Sequence, residues 1–298
     1  MKIREALAAG SADLKAGGIE SSSLDASLLL AHVLNTTRTA LLAHGTDAIS
    51  EDALAAFRSL IKRRLDGECT AYILGKKEFR GLEFVVNKSV LVPRPETETL
   101  VETAVNMLNE KKEAAEPIRV LDLCTGSGAI AVSIKSEMPQ IDMYATDICE
   151  QALETAKTNA ARLLQGSAIQ FYQGDLFNAL PFNALPFNAM SKEAPAQRFS
   201  VIAGNPPYIP SNEIKTLSAE VQNEPLIALD GGETGLEIIK KIIEGAPDYL
   251  IKDGALLLET AGAKQTREIA ALLENRGFKD IKTYKDLSGQ ERVISGVY

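Results

Sequence analysis

The chain has 298 residues, of which 45% are hydrophobic and 24% charged, a composition typical of a globular protein rather than a disordered or fibrous one. Its formal net charge of -8 argues against stable binding to nucleic acid, which requires clustered Lys and Arg. With two histidines and three widely spaced cysteines, the chain lacks the usual residues of a metal site or of Ser-His and Cys-His catalysis. No apolar run reaches the ~18 residues of a membrane span, and the first residues show no signal-peptide core. We therefore expect a cytoplasmic protein with no metal and no membrane association, whose chemistry depends on an organic cofactor or on positioning.

The first 74 residues are predicted to form a small helical domain. An apolar run from Leu28 to Leu34 follows Ser23 and Asp25, as in a buried helix. Ser50 is the predicted N-cap of a later helix, because two acidic residues follow it and apolar residues then recur at helical spacing.

Residues 75–93 are predicted to be a β-hairpin connector that turns at Gly81. The prolines that follow, Pro93 and Pro95, stiffen the chain ahead of a helix that carries Leu100 and Ala104. The larger domain is predicted to span residues 94–298.

Apolar strands alternate with amphipathic helices from residue 118 onward, and this alternation predicts an α/β fold with a doubly wound, mostly parallel sheet of seven strands. The last two strands are joined by a short turn, so we expect them to form an antiparallel hairpin at the edge. The predicted strands are Arg119–Leu121, Met143–Thr146, Ile169–Tyr172, Val201–Ala203, Leu256–Leu258, Ile281–Tyr284 and Arg292–Val297.

A glycine-rich loop joins the first strand of this sheet to a helix. Glycines let the backbone pass close to a ligand, and a helix N-terminus favours negative charge. Together with Ala131 the loop also fits the G-x-G-x-x-A spacing of a dinucleotide site, so the motif alone indicates only a nucleotide-type ligand. The candidate binding residues are Cys124, Thr125, Gly126, Ser127 and Gly128.

Acidic residues follow the next two strands at the same predicted sheet edge. Asp147 can accept both hydroxyls of a ribose, although it can also serve as a helix N-cap. Asp175 is a candidate acceptor for an adenine amino group, and Leu176 or Phe177 for packing on the ring.

The fourth strand ends in Asn205-Pro206-Pro207-Tyr208 at the predicted ligand crevice. Two prolines fix the backbone and carry no N–H, so the carbonyl of Pro206 becomes a fixed acceptor. The amide oxygen of Asn205 supplies a second acceptor for an incoming NH2 group, and Tyr208 can stack on a planar amide or base. The motif predicts a catalytic and substrate-binding role for Asn205, Pro206 and Tyr208, with Pro207 as a further substrate contact.

The unit Phe-Asn-Ala-Leu-Pro recurs between residues 177 and 189. Prolines at this spacing break helices and central strands, which predicts a duplication in a surface loop without a chemical role.

In these motifs the chain resembles class I methyltransferases, and specifically the HemK-like protein-(glutamine-N5) methyltransferases. The resemblance also includes Tyr72–Gly75, Pro93–Glu98, Glu224–Pro225, Ala228–Gly232 and Asp286–Gly289. It implies S-adenosyl-L-methionine as cofactor, S-adenosyl-L-homocysteine as product, and the Gly-Gly-Gln glutamine of class I peptide chain release factors as substrate. It further implies that the helical domain helps to dock this partner, that Cys124 to Gly128, Asp147, Asp175, Leu176 and Asn205 contact the cofactor, and that Asn205 to Tyr208 hold the glutamine.

Two departures from the family pattern limit this transfer of roles. Members often have an aromatic residue where this chain has Leu176, and the Glu259-to-Gln265 segment is one residue longer than usual, so no site is assigned there. Two alternatives share the logic of the Asn205 motif: N6-adenine nucleic-acid methyltransferases, whose flipped base presents a similar amino group, and ribosomal-protein glutamine methyltransferases. The release-factor assignment is favoured over nucleic-acid methylation by the acidic net charge and by the lack of an evident basic target-recognition domain. Residues 93–98 favour it over both alternatives.

Overall fold

The structure is a computed structural model that describes residues 1–110, 118–166, 168–181 and 198–298. The helices are α1 Ile3–Ala16, α2 Ser22–Val33, α3 Arg38–Ala43, α4 Glu51–Leu65, α5 Thr70–Leu74, α6 Thr97–Glu110, α7 Ala129–Glu137, α8 Glu150–Leu163, α9 Ala219–Gln222, α10 Leu226–Leu229, α11 Glu237–Tyr249 and α12 Ala263–Arg276. The strands are β1 Lys76–Phe79, β2 Leu82–Val85, β3 Arg119–Leu123, β4 Asp142–Asp147, β5 Ile169–Gln173, β6 Phe199–Gly204, β7 Leu250–Glu259, β8 Lys279–Lys285 and β9 Glu291–Val297.

Two compact units emerge from the packing of the chain. The first comprises Met1–Lys76 together with Leu217–Asn223, and the second comprises Lys77–Thr216 with Glu224–Tyr298. The predicted boundaries after residues 74 and 93 therefore differ from this division in two ways: the hairpin belongs almost wholly to the second unit, and a short later segment returns to the first.

The first unit is helical, as predicted, and α1, α2 and α4 enclose its apolar core. The predicted N-cap at Ser50 is confirmed, because its side chain accepts a hydrogen bond from the backbone of Ala53. The buried guanidinium of Arg64 donates to Asp25 at 2.8 Å and to Glu220 at 2.6 Å. This pairing explains why residues 217–223 pack with the N-terminal helices.

The seven-stranded sheet of the second unit has the strand order β5-β4-β3-β6-β7-β9-β8. Strands β3 to β7 pair in parallel, whereas β9 pairs antiparallel with both β7 and β8. The predicted doubly wound sheet and its antiparallel edge hairpin are confirmed. The connector also forms the predicted hairpin of β1 and β2, which turns through left-handed Arg80 and Gly81.

Each face of the sheet is covered by an apolar cluster. Val120 belongs to the cluster that includes residues of α6 and α7, whereas its neighbour Leu121 belongs to the cluster that includes residues of α11 and α12. Successive residues of a strand point to opposite faces, so both clusters are built from the same strands. Because both faces of the sheet are covered, polar side chains of the strands can contact a ligand only at the strand ends.

The first copy of the five-residue repeat is ordered and packed. Leu176–Ala179 forms a 3-10 helix, and the buried ring of Phe177 stacks on Tyr249 with ring centroids 4.5 Å apart. For this copy the surface-loop prediction is wrong, because Phe177 finds an apolar partner in α11. Residues 182–189, which carry the other copies, lie outside the described residues.

Candidate active site

A cavity of about 670 Å³ opens at the carboxyl ends of β3, β4, β5 and β6. The two strands on either side of the point where the strand order reverses, β3 and β6, both end at it, as ligand sites in open α/β sheets do. Nine of the twelve predicted site residues line this cavity, namely Cys124, Thr125, Gly126, Ser127, Asp147, Asp175, Leu176, Asn205 and Pro207. Gly128, Pro206 and Tyr208 are not among its lining residues.

The glycine-rich loop is held in a left-handed conformation. Cys124 has φ 59° and Gly126 has φ 55°, and a side chain is strained there whereas glycine is not. Among the described residues, its two chain neighbours aside, no atom lies within 4 Å of where a Cβ at Gly126 would be, so the backbone is open at this position. Gly128 is the N-cap of α7 and also has positive φ.

Asp122, which sequence analysis did not assign to the site, stabilises this loop through hydrogen bonds. It is fully buried, and its Oδ2 accepts from the Thr125 hydroxyl at 2.6 Å and from the backbone of Ala131 at 3.2 Å. Burial raises the pKa of Asp122 to about 7, against the opposing effect of these two hydrogen bonds. An Asp three residues before a Thr-Gly turn, at a strand end, was the available sequence signal.

Asp147 organises the same loop from the neighbouring strand. Its Oδ2 accepts from the backbone N–H of Gly126 at 2.8 Å, and its Oδ1 accepts from that of Cys149 at 2.9 Å. Cys149, not Asp147, occupies the N-cap position of α8. Each carboxylate oxygen can accept a second hydrogen bond, so both remain able to receive hydroxyl groups of a ligand in the cavity. Burial raises the pKa of Asp147.

The end of β5 contributes Asp175 and Leu176. Asp175 lies 3.9 Å from the ammonium of Lys241, and both side chains are largely exposed. Leu176 lines the cavity with φ 49°, an unfavourable conformation for a branched side chain that packing must stabilise. Two of the four strand ends at the cavity, those of β3 and β5, are therefore followed by strained non-glycine residues, Cys124 and Leu176.

The Asn205 motif divides between the cavity and the interior. Asn205 and Pro207 line the cavity, whereas Pro206 is buried. The Nδ2 of Asn205 donates to the hydroxyl of Thr97 at 3.4 Å. Because the amide nitrogen has this partner, the amide oxygen of Asn205 is the group left to act as an acceptor.

Tyr208 is held at both ends by residues that sequence analysis left unassigned. Its hydroxyl donates to Glu259 Oε1 at 3.3 Å, and its backbone carbonyl accepts from Gln265 Nε2 at 3.0 Å. Burial, with the nearby negative charge of Glu259, raises the pKa of Tyr208. The phenol is therefore a neutral hydrogen-bond donor across the physiological pH range.

Two distant segments complete the walls of the cavity. Residues 89–97 contribute Pro93, Arg94 and Thr97, and residues 226–232 contribute Leu226 and Ile227. Leu226 and Ile227 are 60% and 52% exposed. The resemblance included Pro93–Glu98 and Ala228–Gly232 within these segments, but no site was assigned to them.

No group of three or more His, Cys, Asp or Glu side chains that could hold a metal ion occurs within the described ranges. In the same part of the chain no helix is both long and apolar enough to cross a membrane.

Comparison with known proteins gives two matches to family descriptions: "PrmC N-terminal domain" over residues 5–75 and "Methyltransferase domain" over residues 120–197. The release factor glutamine methyltransferase of Bordetella pertussis is 40% identical over 273 residues, covering 92% of this chain and 94% of the relative. That of Vibrio cholerae is 38% identical over 296 residues, covering 99% and 96%.

Among solved structures, the hMettl16 catalytic domain in complex with MAT2A 3'UTR hairpin 1 is similar with a TM-score of 0.55, 12% sequence identity and 86% of each chain covered. At this level of identity the likeness concerns the fold alone.

Proposed function

The chain belongs to the release factor glutamine methyltransferase family, and we propose that it transfers a methyl group from S-adenosyl-L-methionine to the side-chain amide nitrogen of the Gly-Gly-Gln glutamine in class I peptide chain release factors. The observation that carries this proposal is the position of Asn205 and Pro207 in the wall of a cavity that also contains a glycine-rich loop and two strand-end aspartates.

The residues of this cavity fit S-adenosyl-L-methionine, which supplies an electrophilic methyl group when bound. The open, left-handed backbone at Gly126 can pass close to a ligand. Asp147 retains acceptor capacity for the two ribose hydroxyls, and Asp175 can accept from the adenine amino group. Cys124, Thr125, Ser127, Gly128 and Leu176 complete the proposed cofactor contacts, with Asn205 shared between cofactor and substrate.

Asn205 and Pro206 are proposed to hold the glutamine amide by its two hydrogens. The Asn205 amide oxygen accepts one N–H, and the Pro206 carbonyl accepts the other. Two acceptors orient the nitrogen lone pair and favour partial pyramidal character, which strengthens these contacts as a bond to carbon forms. Pro207 and Tyr208 are proposed to restrict the orientation of the plane of the substrate amide.

We expect no stable complex with nucleic acid. The net charge of -8 opposes phosphate binding, and the relatives named above are release factor methyltransferases, which does not favour the adenine-N6 alternative or the ribosomal-protein alternative. A cytoplasmic location follows from such a substrate.

The test is transfer of labelled methyl from S-adenosyl-L-methionine to a purified class I release factor. Controls are the same factor with its Gly-Gly-Gln glutamine changed to alanine, and duplex DNA. We expect label in the intact factor alone. Label in DNA, or equal label in the altered factor, would remove the substrate assignment.

A second test separates an enzyme from a cofactor-binding scaffold. Asn205→Ala and Tyr208→Ala should lower methyl transfer far more than they lower affinity for S-adenosyl-L-homocysteine measured by calorimetry. Losses of equal size in transfer and in affinity would contradict the proposed roles.

A further inference from the structure

Glu259 and Gln265, at the end of β7 and in the first turn of α12, converge on Tyr208. Glu259 Oε1 accepts from the Tyr208 hydroxyl at 3.3 Å, and Gln265 Nε2 donates to the Tyr208 carbonyl at 3.0 Å and to the Gly235 carbonyl at 3.2 Å. The ring tip and the backbone of Tyr208 are thus fixed by one short stretch of chain. This restricts both the rotation of the ring and the course of the chain after Pro207.

Thr97 supports the other polar side chain of the motif. Its Oγ1 accepts from Asn205 Nδ2 at 3.4 Å. The same hydroxyl lowers the pKa of Glu259, so Thr97 interacts both with the motif and with the carboxylate that bonds to Tyr208.

The burial of Glu259 is costly for folding. It is 1% exposed, and its Oε2 has no hydrogen-bond partner among the residues that the structure describes. Burial, with a smaller contribution from Glu96, raises its pKa to about 7 against the lowering effects of Thr97, Tyr208 and Arg292. Arg292 directs its Nε to Asp286 at 3.2 Å. Within the described part of the chain no cation forms an ion pair with Glu259. Stability therefore does not explain its burial, since an unpaired buried charge destabilises the folded state.

We propose that Glu259 and Gln265 are positioning residues for methyl transfer, which hold Tyr208 in the arrangement that receives the substrate amide. This inference rests on the proposed function of the Asn205 motif. It predicts that removing the Glu259 charge lowers turnover but leaves the protein at least as stable as wild type. The reason is that the buried charge is unfavourable for folding and is kept for its role in methyl transfer.

The decisive variants are Glu259→Gln and Gln265→Leu, with Thr260→Val as the matched control. Thr260 neighbours Glu259 and is also fully buried, but its hydroxyl bonds to Thr266, at 2.9 Å, and not to the Asn205 motif. We expect Glu259→Gln and Gln265→Leu each to lower kcat on the release factor at least 10-fold, with affinity for S-adenosyl-L-homocysteine within 2-fold of wild type. Thr260→Val should retain wild-type kcat.

Variants of Thr97 test the support of Asn205 separately. Thr97→Ser keeps the hydroxyl that accepts from Asn205 and should keep kcat within about 2-fold, whereas Thr97→Val removes it and should lower kcat. Wild-type turnover in Glu259→Gln, or a kcat loss matched by an equal loss of cofactor affinity or of stability, would overturn the proposal.

A measurement without substrate separates this inference from the proposed function. In protein with 13C-labelled tyrosine rings, the Tyr208 signal is the one absent from Tyr208→Phe. Glu259→Gln should shift that signal, and Thr260→Val should not. An unmoved signal in Glu259→Gln would refute the positioning of Tyr208 by Glu259 even if the wild-type enzyme is active. If the signal shifts in Glu259→Gln but the wild-type protein does not methylate release factors, only the proposed substrate is refuted.

Discussion

The guanidinium of Arg94 pairs with the fully buried carboxylate of Glu224, 130 residues away in the sequence. The second carboxylate oxygen of Glu224 accepts from the backbone N–H of Val92 at 3.0 Å. This pair joins the proline-rich segment before α6 to the segment before α10, and both segments line the cavity.

Arg94→Met should destabilise the protein by about 1–3 kcal/mol, because it removes a cation that pairs with a buried carboxylate. Glu224→Gln should cost less, since the amide oxygen can still accept from Val92. The double variant should be less destabilised than the sum of the two single variants, as expected for a direct pair. Urea denaturation followed by circular dichroism measures all three. Strict additivity would show that the two residues act independently.

Asp147→Ala should weaken binding of S-adenosyl-L-homocysteine by roughly 10- to 100-fold, since it removes an acceptor for Gly126 and for the ligand hydroxyls together. The matched control is Asp142→Asn at the opposite end of the same strand, where the carboxylate is 49% exposed and its cationic partner, Arg119, lies at 3.8 Å. Isothermal titration calorimetry compares the two variants with wild type. Equal affinity in all three proteins would exclude Asp147 from the cofactor site.

The stability of the ligand-free protein should fall as pH rises from about 5 to 8. Asp122 and Glu259 have pKa values raised to about 7 in the folded state, from ordinary values of 3.8 and 4.5. Between those limits the folded state binds more protons than the unfolded state, so the stabilisation is complete below the unfolded pKa and lost as pH passes 7. Asp286, whose pKa is lowered to about 2, acts only at more acidic pH.

Asp122→Asn and Glu259→Gln should each flatten this slope by up to about 1.4 kcal/mol per pH unit. Urea denaturation at pH 5, 6, 7 and 8 gives the slopes. A wild-type stability that rises steadily over this interval would contradict the raised pKa values.

Gly10→Ala should destabilise the N-terminal unit by about 1–3 kcal/mol through overpacking. A Cβ at Gly10 would lie 2.6 Å from Cζ of the buried ring of Phe57, and the two helices α1 and α4 pack through this contact. Gly45→Ala is the control, because its Cβ would meet no atom closer than 3.5 Å. Thermal unfolding of both variants tests the difference, and a Gly10→Ala protein as stable as the control would show that Phe57 can move aside.

The amino-acid sequence alone determined the alternation of strands and helices, the antiparallel hairpin at the end, and the strand ends at which polar residues gather. These features are local: period, capping and turn chemistry are properties of neighbouring residues. Nine of the predicted site residues meet at one cavity because parallel strands deliver their carboxyl ends to the same edge.

Only the tertiary structure decided which distant residues support that edge. Several contacts join positions far apart in the chain: Arg94 with Glu224, Tyr208 with Glu259 and Gln265, and Arg64 with Glu220. Nothing in the periodicity around Glu259 distinguishes a buried, functional carboxylate from an exposed one that ends a strand. Burial and partner choice depend on the packing of the whole unit, so the positioning of the motif became visible only once the chain was folded.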